Sequence, residues 1–342
     1  MNLKSRIAKM IQVNGPMPFE RFMELSLYDR EGFFGGQTLR SEKAGDFLTS
    51  PEVSSLFGET LAAYVELEHL RIGDPFLLVE GGAGSGSLIR PLLDRYPVEA
   101  LAVEASPAAR SALIELLEVR DRMPEPIRGV VIANELLDNL PMALAQMTSE
   151  GWRERWVGLD VGDLAFVDAP PRPEVLQWLA AHAGDVGLDG WVEVQLEGSQ
   201  WLADTLANLV VGSVVIIDYG DLKEGLLPRR QDGTLRTYRS HHLGPHPLAE
   251  PGETDITADV NFSALLEVAV AAGVDVEIYR QDDFLADLGL RERLSELRRA
   301  ELDAARSGDD LTRLQLRTLK TEAETLMHPR GLGDFRVLVA RK

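Results

Sequence analysis

The feature that most constrains the fold is a glycine-rich turn between a run of apolar residues and a helix-forming segment. It reads LLVEGGAGSGSLIR over residues 77–90. Glycine adopts positive φ values at little steric cost, so a ligand can lie against main-chain amides at the N-terminus of the following helix. The segment therefore predicts a strand, a turn and a helix that together bind a nucleotide.

From Pro75 onward, apolar runs alternate with helical patterns, which favours an α/β fold with a doubly wound parallel sheet. The predicted strands are PFLLVE, EALAVEA, RGVVIANE, GSVVIIDYG, VDVEIYRQ and FRVLVARK. Between the second and the third of these strands only VRDRM remains for a further strand, and the pattern does not place it.

The same pattern divides the chain into four segments. They are an N-terminal helical segment with a loop that covers the site, the first part of the core, an inserted β-rich segment and the second part of the core: residues 1–74, 75–141, 142–197 and 198–342. The last segment contains a long loop at 221–259 and a charged amphipathic helical tract at 282–327. Loops of that length in a compact domain are usually functional or disordered.

The spacing of the glycines separates two classes of nucleotide site. A dinucleotide fingerprint, G-x-G-x-x-G, that starts at Gly82 would need glycine or alanine at Ser87. The pattern present is instead E-x-G-x-G-x-G, which resembles motif I of S-adenosylmethionine-dependent methyltransferases. It is formed by Glu80, Gly82, Gly84 and Gly86.

Polar side chains follow several predicted strands. Glu104 ends the second strand, about 20 residues after the glycine turn, where an acidic side chain commonly accepts hydrogen bonds from ribose hydroxyls. Asn134, Glu135 and Asp138 follow the third strand. Because the C-terminal ends of parallel strands face the ligand crevice, we expect Asn134 on the cofactor side and the two acids near the substrate. The alternative is that Asn134 or Asp138 only caps a helix.

The charge of the chain argues against nucleic acid as a partner. Its 55 acidic and 35 basic residues give a formal net charge of −20, whereas nucleic-acid binding depends on cations that neutralise phosphates. The chain has no cysteine, which excludes disulfides and thiolate metal sites. No apolar run reaches the roughly 18 residues of a membrane span. The N-terminus reads as the start of a helix, so we expect a cytoplasmic protein.

Seven blocks of sequence, spread in order over nearly the whole chain, resemble the MidA-like family of S-adenosylmethionine-dependent methyltransferases. They are NGPMPFERFMELSLYDREGFFG, AGDFLTSPEVSSLFGE, VEGGAGSG, VIANELLDNLP, VVIIDYG, DGTLRTYRSH and GETDITADVNF. The mitochondrial members of this family are protein arginine methyltransferases that assist the assembly of respiratory complex I. One departure bears on the substrate, because Asp259 stands where the family commonly has a histidine.

The resemblance implies a Rossmann-like class I methyltransferase fold with inserted substrate-side elements, and S-adenosyl-L-methionine as the cofactor. It also implies that the Glu80 to Gly86 loop and Glu104 contact this cofactor. The block GDFLTSPEVS would close over the site, which assigns Thr49, Ser50 and Glu52 to the cofactor as well.

Methyl transfer to an arginine requires a nitrogen lone pair behind the methyl group and a site that excludes water. A guanidinium is a charged, planar fork of donors, so carboxylates are the groups that hold it. Glu135 is the best candidate for this clamp, with Asp138 and Glu193 behind it, although Glu193 alternatively is a solvated strand residue. Asp218 and Tyr219 end a later strand and are predicted to line the substrate side.

The long loop carries His241, His242 and His246, which opens the alternative of a metal site. The loop has no repeating ligand scaffold, and the family resemblance implies no metal, so we expect none. Hydrogen bonding or substrate contact is the preferred role, with His241 as the substrate-side candidate.

The leading hypothesis is a protein arginine methyltransferase whose partner is a protein with an accessible arginine, and a homodimer is possible. Two alternatives stay open. One is an assembly factor that holds the cofactor without catalysis and recruits a partner through its acidic surface; the other is a small-molecule methyltransferase. A closed small pocket would favour the small-molecule enzyme, and an open acidic groove would favour a peptide substrate.

Overall fold

The computed structural model describes residues 2–36, 49–239 and 242–342, so the prediction for His241 lies outside the described residues. The α-helices are α1 (Leu3–Asn14), α2 (Phe19–Tyr28), α3 (Ser50–Val53), α4 (Leu56–Ile72), α5 (Ile89–Arg95), α6 (Pro107–Leu113), α7 (Pro173–His182), α8 (Leu196–Asn208), α9 (Lys223–Leu226), α10 (Phe262–Ala271), α11 (Gln281–Asp287), α12 (Leu290–Ser307) and α13 (Asp310–Leu326). Single 3₁₀ turns lie at Leu137–Asn139, Leu227–Arg229 and Leu332–Asp334.

The strands form one large sheet and several smaller ones. They are β1 (Met17–Pro18), β2 (Leu77–Gly81), β3 (Ala100–Val103), β4 (Glu118–Arg120), β5 (Ile127–Asn134), β6 (Ala143–Thr148), β7 (Gly151–Asp160), β8 (Asp163–Ala169), β9 (Trp191–Val194), β10 (Leu209–Asp218), β11 (Gly220–Asp221), β12 (Arg236–Arg239), β13 (His242–Leu243), β14 (Asp255–Thr257), β15 (Val260–Asn261), β16 (Asp275–Arg280) and β17 (Arg336–Arg341).

The large sheet has seven strands in the order β16-β17-β10-β5-β2-β3-β4. The five strands from β10 to β4 pair in parallel, and β17 inserts antiparallel between β10 and β16. This confirms the predicted doubly wound sheet. The segment that the sequence pattern could not place, VRDRM, begins within the short edge strand β4.

Both faces of the central strands β2, β5, β10 and β17 are buried, which explains why these strands read as continuous apolar runs. In β5, Val130 and Ile132 belong to a core shared with α4, α5 and α11 to α13, whereas Val131 and Ala133 point into a core shared with α8 and α10. The sheet is therefore a rigid platform between two helical layers, and its strand ends hold side chains at fixed positions.

A second sheet joins the N-terminal segment to the insertion. Its main path is β1-β7-β6-β9, and β8 pairs with β7. The two-residue strand β1 pairs with β7 at Val157, and the aromatic residues Phe19 and Phe22 of α2 share a core with Met142 and Leu144 beside and within β6. The N-terminal helices and the inserted strands are therefore packed as one layer over the site.

One stretch is more structured than its pattern indicated. Among its described residues, the segment 221–259, predicted as a long loop, contains α9, the 3₁₀ turn Leu227–Arg229 and the three short strands β12, β13 and β14. The tract 282–327, predicted as helical, consists mainly of α11, α12 and α13. Gly289 and Gly308, with positive φ values of 97° and 75°, interrupt the helical backbone between them. Among the described residues, none of the helices is long and apolar enough to cross a membrane.

Candidate functional site

The winding of the large sheet reverses between β2 and β5, because the chain adds β3 and β4 on one side of β2 and then places β5 on the other. Ligands of such sheets bind at this point, beyond the C-terminal ends of the strands. A cavity lies there, which we call the first cavity. Its lining includes Tyr28, Thr49, Glu52, Glu80, Gly82, Gly84, Glu104, Asp121, Asn134, Glu135, Asn139 and Trp201.

The glycine turn forms one wall of the first cavity. Gly82, Gly84 and Gly86 all have positive φ, at 69°, 52° and 81°. A Cβ atom at Gly82 would lie 2.9 Å from Leu136 Cδ1, and one at Gly86 would lie 2.8 Å from Leu113 Cδ2. Those distances would force the neighbouring side chains to move, so the turn needs glycine for its backbone conformation and for its close packing.

Glu104, directly after β3, ties two main-chain segments of the first cavity together. Its Oε2 accepts a hydrogen bond of 2.8 Å from the Gly84 N–H, and its Oε1 accepts one of 2.7 Å from the Ser106 N–H at the start of α6. Each carboxylate oxygen has more than one acceptor site. The side chain therefore stabilises the glycine turn and still presents lone pairs to hydroxyl groups of a ligand.

Two buried acceptors of the first cavity have no hydrogen-bond partner among the described residues, namely Glu80 Oε2 and Asn134 Oδ1. Burial raises the pKa of Glu80 well above its ordinary value, and the nearby Glu104 carboxylate raises it further. A buried acceptor without a donor costs about 1–3 kcal/mol, which a ligand that supplies donors would recover. S-adenosylmethionine carries an ammonium group, which fits this pair of acceptors.

The short helix α3 covers the first cavity. Thr49 is its N-cap residue, and its N–H donates to Glu52 Oε2 at 3.0 Å. Thr49 and Glu52 line the cavity. Ser50 does not line it, but its N–H donates to Glu135 Oε1 at 3.2 Å and its hydroxyl pairs with Gln281. The covering helix is thus bonded directly to the predicted clamp residue.

A second cavity adjoins the first, and Glu135 and Asn139 line both. It extends along the 3₁₀ turn Leu137–Asn139 to the end of α13. The other lining residues include Asp138, Tyr219, Arg236, Tyr238, Asp255, Thr321, Glu324, Thr325, His328, Arg330 and Phe335. Four carboxylates and three aromatic rings thus line this cavity, in which a flat cation finds both charge and stacking surfaces.

Glu135 has an unusual backbone and an unusual pKa. Its φ is +49°, a conformation that non-glycine residues rarely adopt and that concentrates at functional sites. Burial, together with the neighbouring Asp138 carboxylate, raises the pKa of Glu135 to about 8. Hydrogen bonds from Ser50 and from the Asn134 amide at 3.3 Å act in the opposite direction. The side chain is therefore held in place, and it is about half ionised near pH 8.

Asp138 is the centre of a hydrogen-bond cluster behind Glu135. Its Oδ2 accepts from the Thr257 hydroxyl at 2.6 Å and from the Tyr219 hydroxyl, while Oδ1 has no partner among the described residues. Burial raises the pKa of Asp138, although these two hydrogen bonds oppose the rise. Tyr219 and Asp138 both line the second cavity, and the buried Oδ1 of Asp138 is an unused acceptor.

Asp218 has a different position from the one predicted. It lines neither cavity, and its oxygens accept from the main-chain N–H groups of Leu137 at 3.1 Å, Asp138 at 3.3 Å and Tyr219 at 2.9 Å. Burial raises its pKa well above the ordinary range, with the Asp138 and Glu135 carboxylates adding to the effect. Asp218 thus holds the 3₁₀ turn that carries Asp138 and does not face a substrate.

Glu193 also lies apart from both cavities. It is 2% exposed, so it is not a solvated strand residue either. Its Oε2 pairs with Arg230 Nη1 at 2.7 Å, and its Oε1 accepts from the main-chain N–H groups of Thr234 and Leu235 at 2.6 and 3.1 Å. Both carboxylate oxygens hold the segment before β12, so the prediction that Glu193 belongs to the clamp is wrong.

The residues singled out around the long loop also have partners. Asp259, which replaces the histidine of the family pattern, pairs with both Arg229 and Arg236. His246 packs edge-on against the Phe166 ring, with centroids 5.4 Å apart, and His242 is exposed in β13. Within the described residues there is no group of three or more side chains suited to a metal ion.

Several lining residues escaped the sequence analysis. Asp121 follows β4 and lines the first cavity, so the strand-end rule would have found it had VRDRM been assigned as a strand. Arg236 and Phe335 come from distant segments, and no local pattern marks them as neighbours of Glu135.

Comparisons with known proteins agree with this geometry. Residues 60–280 match the family model described as "Putative S-adenosyl-L-methionine-dependent methyltransferase". The chain is 30% identical to protein arginine methyltransferase NDUFAF7, mitochondrial, of Rattus norvegicus, with 95% of this chain and 80% of the relative covered. It is 29% identical to the protein of that name in Homo sapiens, with 95% and 79% covered.

A solved structure gives the same result. The chain is similar to a COG1565 superfamily member from Burkholderia thailandensis bound to S-adenosyl-homocysteine, with a TM-score of 0.88 and 30% identity over 99% of this chain and 92% of that one. The expectation of a cytoplasmic protein is contradicted, because the curated relatives are named as mitochondrial proteins. That expectation rested on the helical reading of the N-terminus, which does not identify a compartment.

Proposed function

Because the chain belongs to the family of S-adenosylmethionine-dependent methyltransferases, we propose that it transfers a methyl group from this cofactor to an arginine side chain of a partner protein. The names of the mitochondrial relatives support arginine as the acceptor. The MidA-like resemblance drawn from the sequence blocks is confirmed by these matches.

The observation that carries the proposal is the position of Glu135. It lines the first cavity, which fits the cofactor, and also the second cavity, which extends to α13. A guanidinium held by Glu135 and Asp138 would therefore lie at the junction of the two cavities. Methyl transfer needs this alignment of acceptor and donor more than it needs any covalent help from the protein.

Other residues have supporting roles in the proposal. Glu80 and Asn134 accept from the ammonium of the cofactor, and Glu104 accepts from its ribose hydroxyls. The helix that carries Ser50 and Glu52 closes the site and excludes water, which strengthens the electrostatic contacts inside. Glu135 and Asp138 also stabilise the positive charge of the acceptor during transfer.

The shape of the second cavity supports a protein substrate over a small molecule. Its lining runs from Glu135 to Thr321 in α13 and to Arg330 beyond that helix, and its volume of about 1100 Å³ compares with about 210 Å³ for the first cavity. The net charge of −20 suits a cationic acceptor. The absence of a nucleic-acid partner and the formation of a homodimer stay predictions.

The test is to incubate the protein with S-adenosylmethionine labelled in its methyl group and a cell lysate, and to identify the labelled side chain by acid hydrolysis and mass spectrometry. We expect label on methylarginine in protein. Label that appears only on small metabolites would contradict the arginine proposal. No label in any fraction would favour an assembly factor that holds the cofactor without catalysis.

The raised pKa of Glu135 predicts a pH dependence of methyl transfer. The clamp holds a guanidinium only when its carboxylate is ionised, and the pKa of Glu135 is about 8 in the free protein. We therefore expect kcat/KM to rise with pH, with a slope near one on a logarithmic scale, and to level off above about pH 8. The measurement is kcat/KM from about pH 6 to 9.5 with an arginine peptide. A flat profile over that range would contradict the clamp assignment.

A further inference from the structure

Arg236 lines the second cavity together with the carboxylates of Glu135 and Asp138. Its side chain ends in the same guanidinium group that these carboxylates are proposed to hold in a substrate. A guanidinium and a free carboxylate form a strong, often bidentate, ion pair. An arginine of the chain itself is therefore a competitor for the acceptor position, and it is tethered beside that position.

Arg236 does not occupy the acceptor position in the structure. Its Nη2 donates to the carboxylate of Asp259, and its guanidinium carbon lies 5.5 Å from the centre of the Tyr219 ring. No hydrogen bond within the described part of the chain joins Arg236 to Asp138 or to Glu135. Its charge nevertheless acts on Asp138, whose pKa it lowers. The guanidinium is thus near the acceptor carboxylates without being bonded to them.

Asp259 is firmly anchored for this contact. Its side chain is only 3% exposed. Its N–H donates to Thr234 Oγ1 at 3.1 Å, and its carbonyl accepts from Gln195 Nε2 at 3.2 Å. The second carboxylate oxygen accepts from Arg229, whose side chain is 43% exposed. The backbone around Asp259 is therefore fixed, and its carboxylate sits between two arginines, of which only Arg236 lines the second cavity.

We propose that Asp259 holds Arg236 away from Glu135 and Asp138, and so keeps these carboxylates available for a substrate arginine. This inference rests on the acceptor role proposed above. Asp259 contacts neither cofactor nor substrate, and it acts through Arg236 as a positioning residue. In its absence, Arg236 would turn from Tyr219 to the acceptor carboxylates and act as a competitive inhibitor within the same molecule.

The first measurement is the crystal structure of the Asp259→Asn variant with S-adenosyl-homocysteine bound. Asparagine keeps the size of the side chain and removes the charge that holds Arg236. We expect an Arg236 nitrogen at hydrogen-bond distance, about 3 Å, from a carboxylate oxygen of Asp138 or Glu135. If Arg236 remains over the Tyr219 ring in this variant, the proposal is wrong.

The second measurement is steady-state methylation of the peptide acetyl-Gly-Arg-Gly-amide. We expect Asp259→Asn to raise KM roughly tenfold with little change in kcat. If Arg236 occupies the acceptor position in most molecules, the apparent affinity for the peptide falls in proportion to the fraction of molecules in which that position is open. The double variant Asp259→Asn/Arg236→Gln removes the competitor and is expected to recover most of the affinity. A purely structural defect would lower kcat too and would not be rescued.

The matched control is Arg229→Gln, which removes the other partner of Asp259 and leaves the pair with Arg236. We expect its KM to equal that of the wild type. A rise in KM as large as that of Asp259→Asn, or failure of the double variant to restore KM, would overturn the proposal. If the wild type neither binds nor methylates the peptide, the acceptor function fails instead, while the crystal structure of Asp259→Asn still decides where Arg236 goes.

Discussion

The Glu135→Gln variant is expected to lose methyl transfer to protein and to keep S-adenosyl-homocysteine binding. The amide has the size of the carboxylate and can still accept the hydrogen bond from the Ser50 N–H, so the covering helix stays in place. It lacks the charge that pairs with a guanidinium. Because removal of one partner of a buried charge pair costs about 2–5 kcal/mol, we expect kcat/KM to fall by roughly 100-fold or more.

Two measurements separate these effects. Calorimetric titration with S-adenosyl-homocysteine reports the cofactor site, and quantification of methylarginine reports transfer. The matched control is Glu324→Gln, which removes a carboxylate from the outer part of the second cavity, where it pairs with Arg298. That variant is expected to retain most of the activity. Full activity of Glu135→Gln, or equal losses in both variants, would exclude Glu135 as the specific clamp.

The Glu104→Ala variant is expected to bind S-adenosyl-homocysteine about 100-fold more weakly than the wild type. The change removes the acceptor for the N–H groups of Gly84 and Ser106, so the glycine turn and the start of α6 both lose a charged hydrogen bond. It also removes the proposed acceptor for the ribose hydroxyls. Hydrogen bonds to charged groups contribute about 1.5–3 kcal/mol each, and about 2.7 kcal/mol corresponds to 100-fold in affinity.

The affinity is measured by calorimetry, and the melting temperature is recorded for each variant to separate loss of the ligand from loss of the fold. Glu118→Ala serves as the control, since Glu118 lies in the edge strand β4 and its side chain pairs, within the described part of the chain, only with the exposed Arg120. Its affinity for S-adenosyl-homocysteine should be unchanged. Wild-type affinity in Glu104→Ala would mean that the glycine turn and the ligand do not depend on this carboxylate.

The parts of the molecule that sequence predicted well are those specified by local patterns. The strand, turn and helix around Gly82 and Gly84 occupy consecutive residues, and strands buried on both faces read as apolar runs whatever packs against them. Glu80, Glu104 and Asn134 could be placed because strand ends in a doubly wound sheet share one edge. The edge strand β4 escaped because its three residues are mostly exposed and carry no apolar run.

The remaining features depend on contacts between distant segments, which no local pattern reveals. The two-residue strand β1 exists only because β7 pairs with it. The alternating pattern of its strand does not mark Glu193 as buried. Its burial depends on the ion pair with Arg230, which lies 37 residues along the chain. Asp218 ends a strand, as predicted, but its Oδ2 accepts hydrogen bonds from main-chain N–H groups of the 3₁₀ turn Leu137–Asn139.

The covering helix α3 has a thermodynamic consequence. Thr49 and Glu52 line the first cavity, Ser50 donates to Glu135 at its junction with the second, and Ser54 bonds to Glu322 of α13, whose last turns line the second cavity. One four-residue helix is thus linked to both binding sites. A ligand in one cavity that shifts α3 therefore changes the affinity of the other cavity for its own ligand. Because coupling between two sites is reciprocal, a ligand in the second cavity changes the affinity of the first by the same factor.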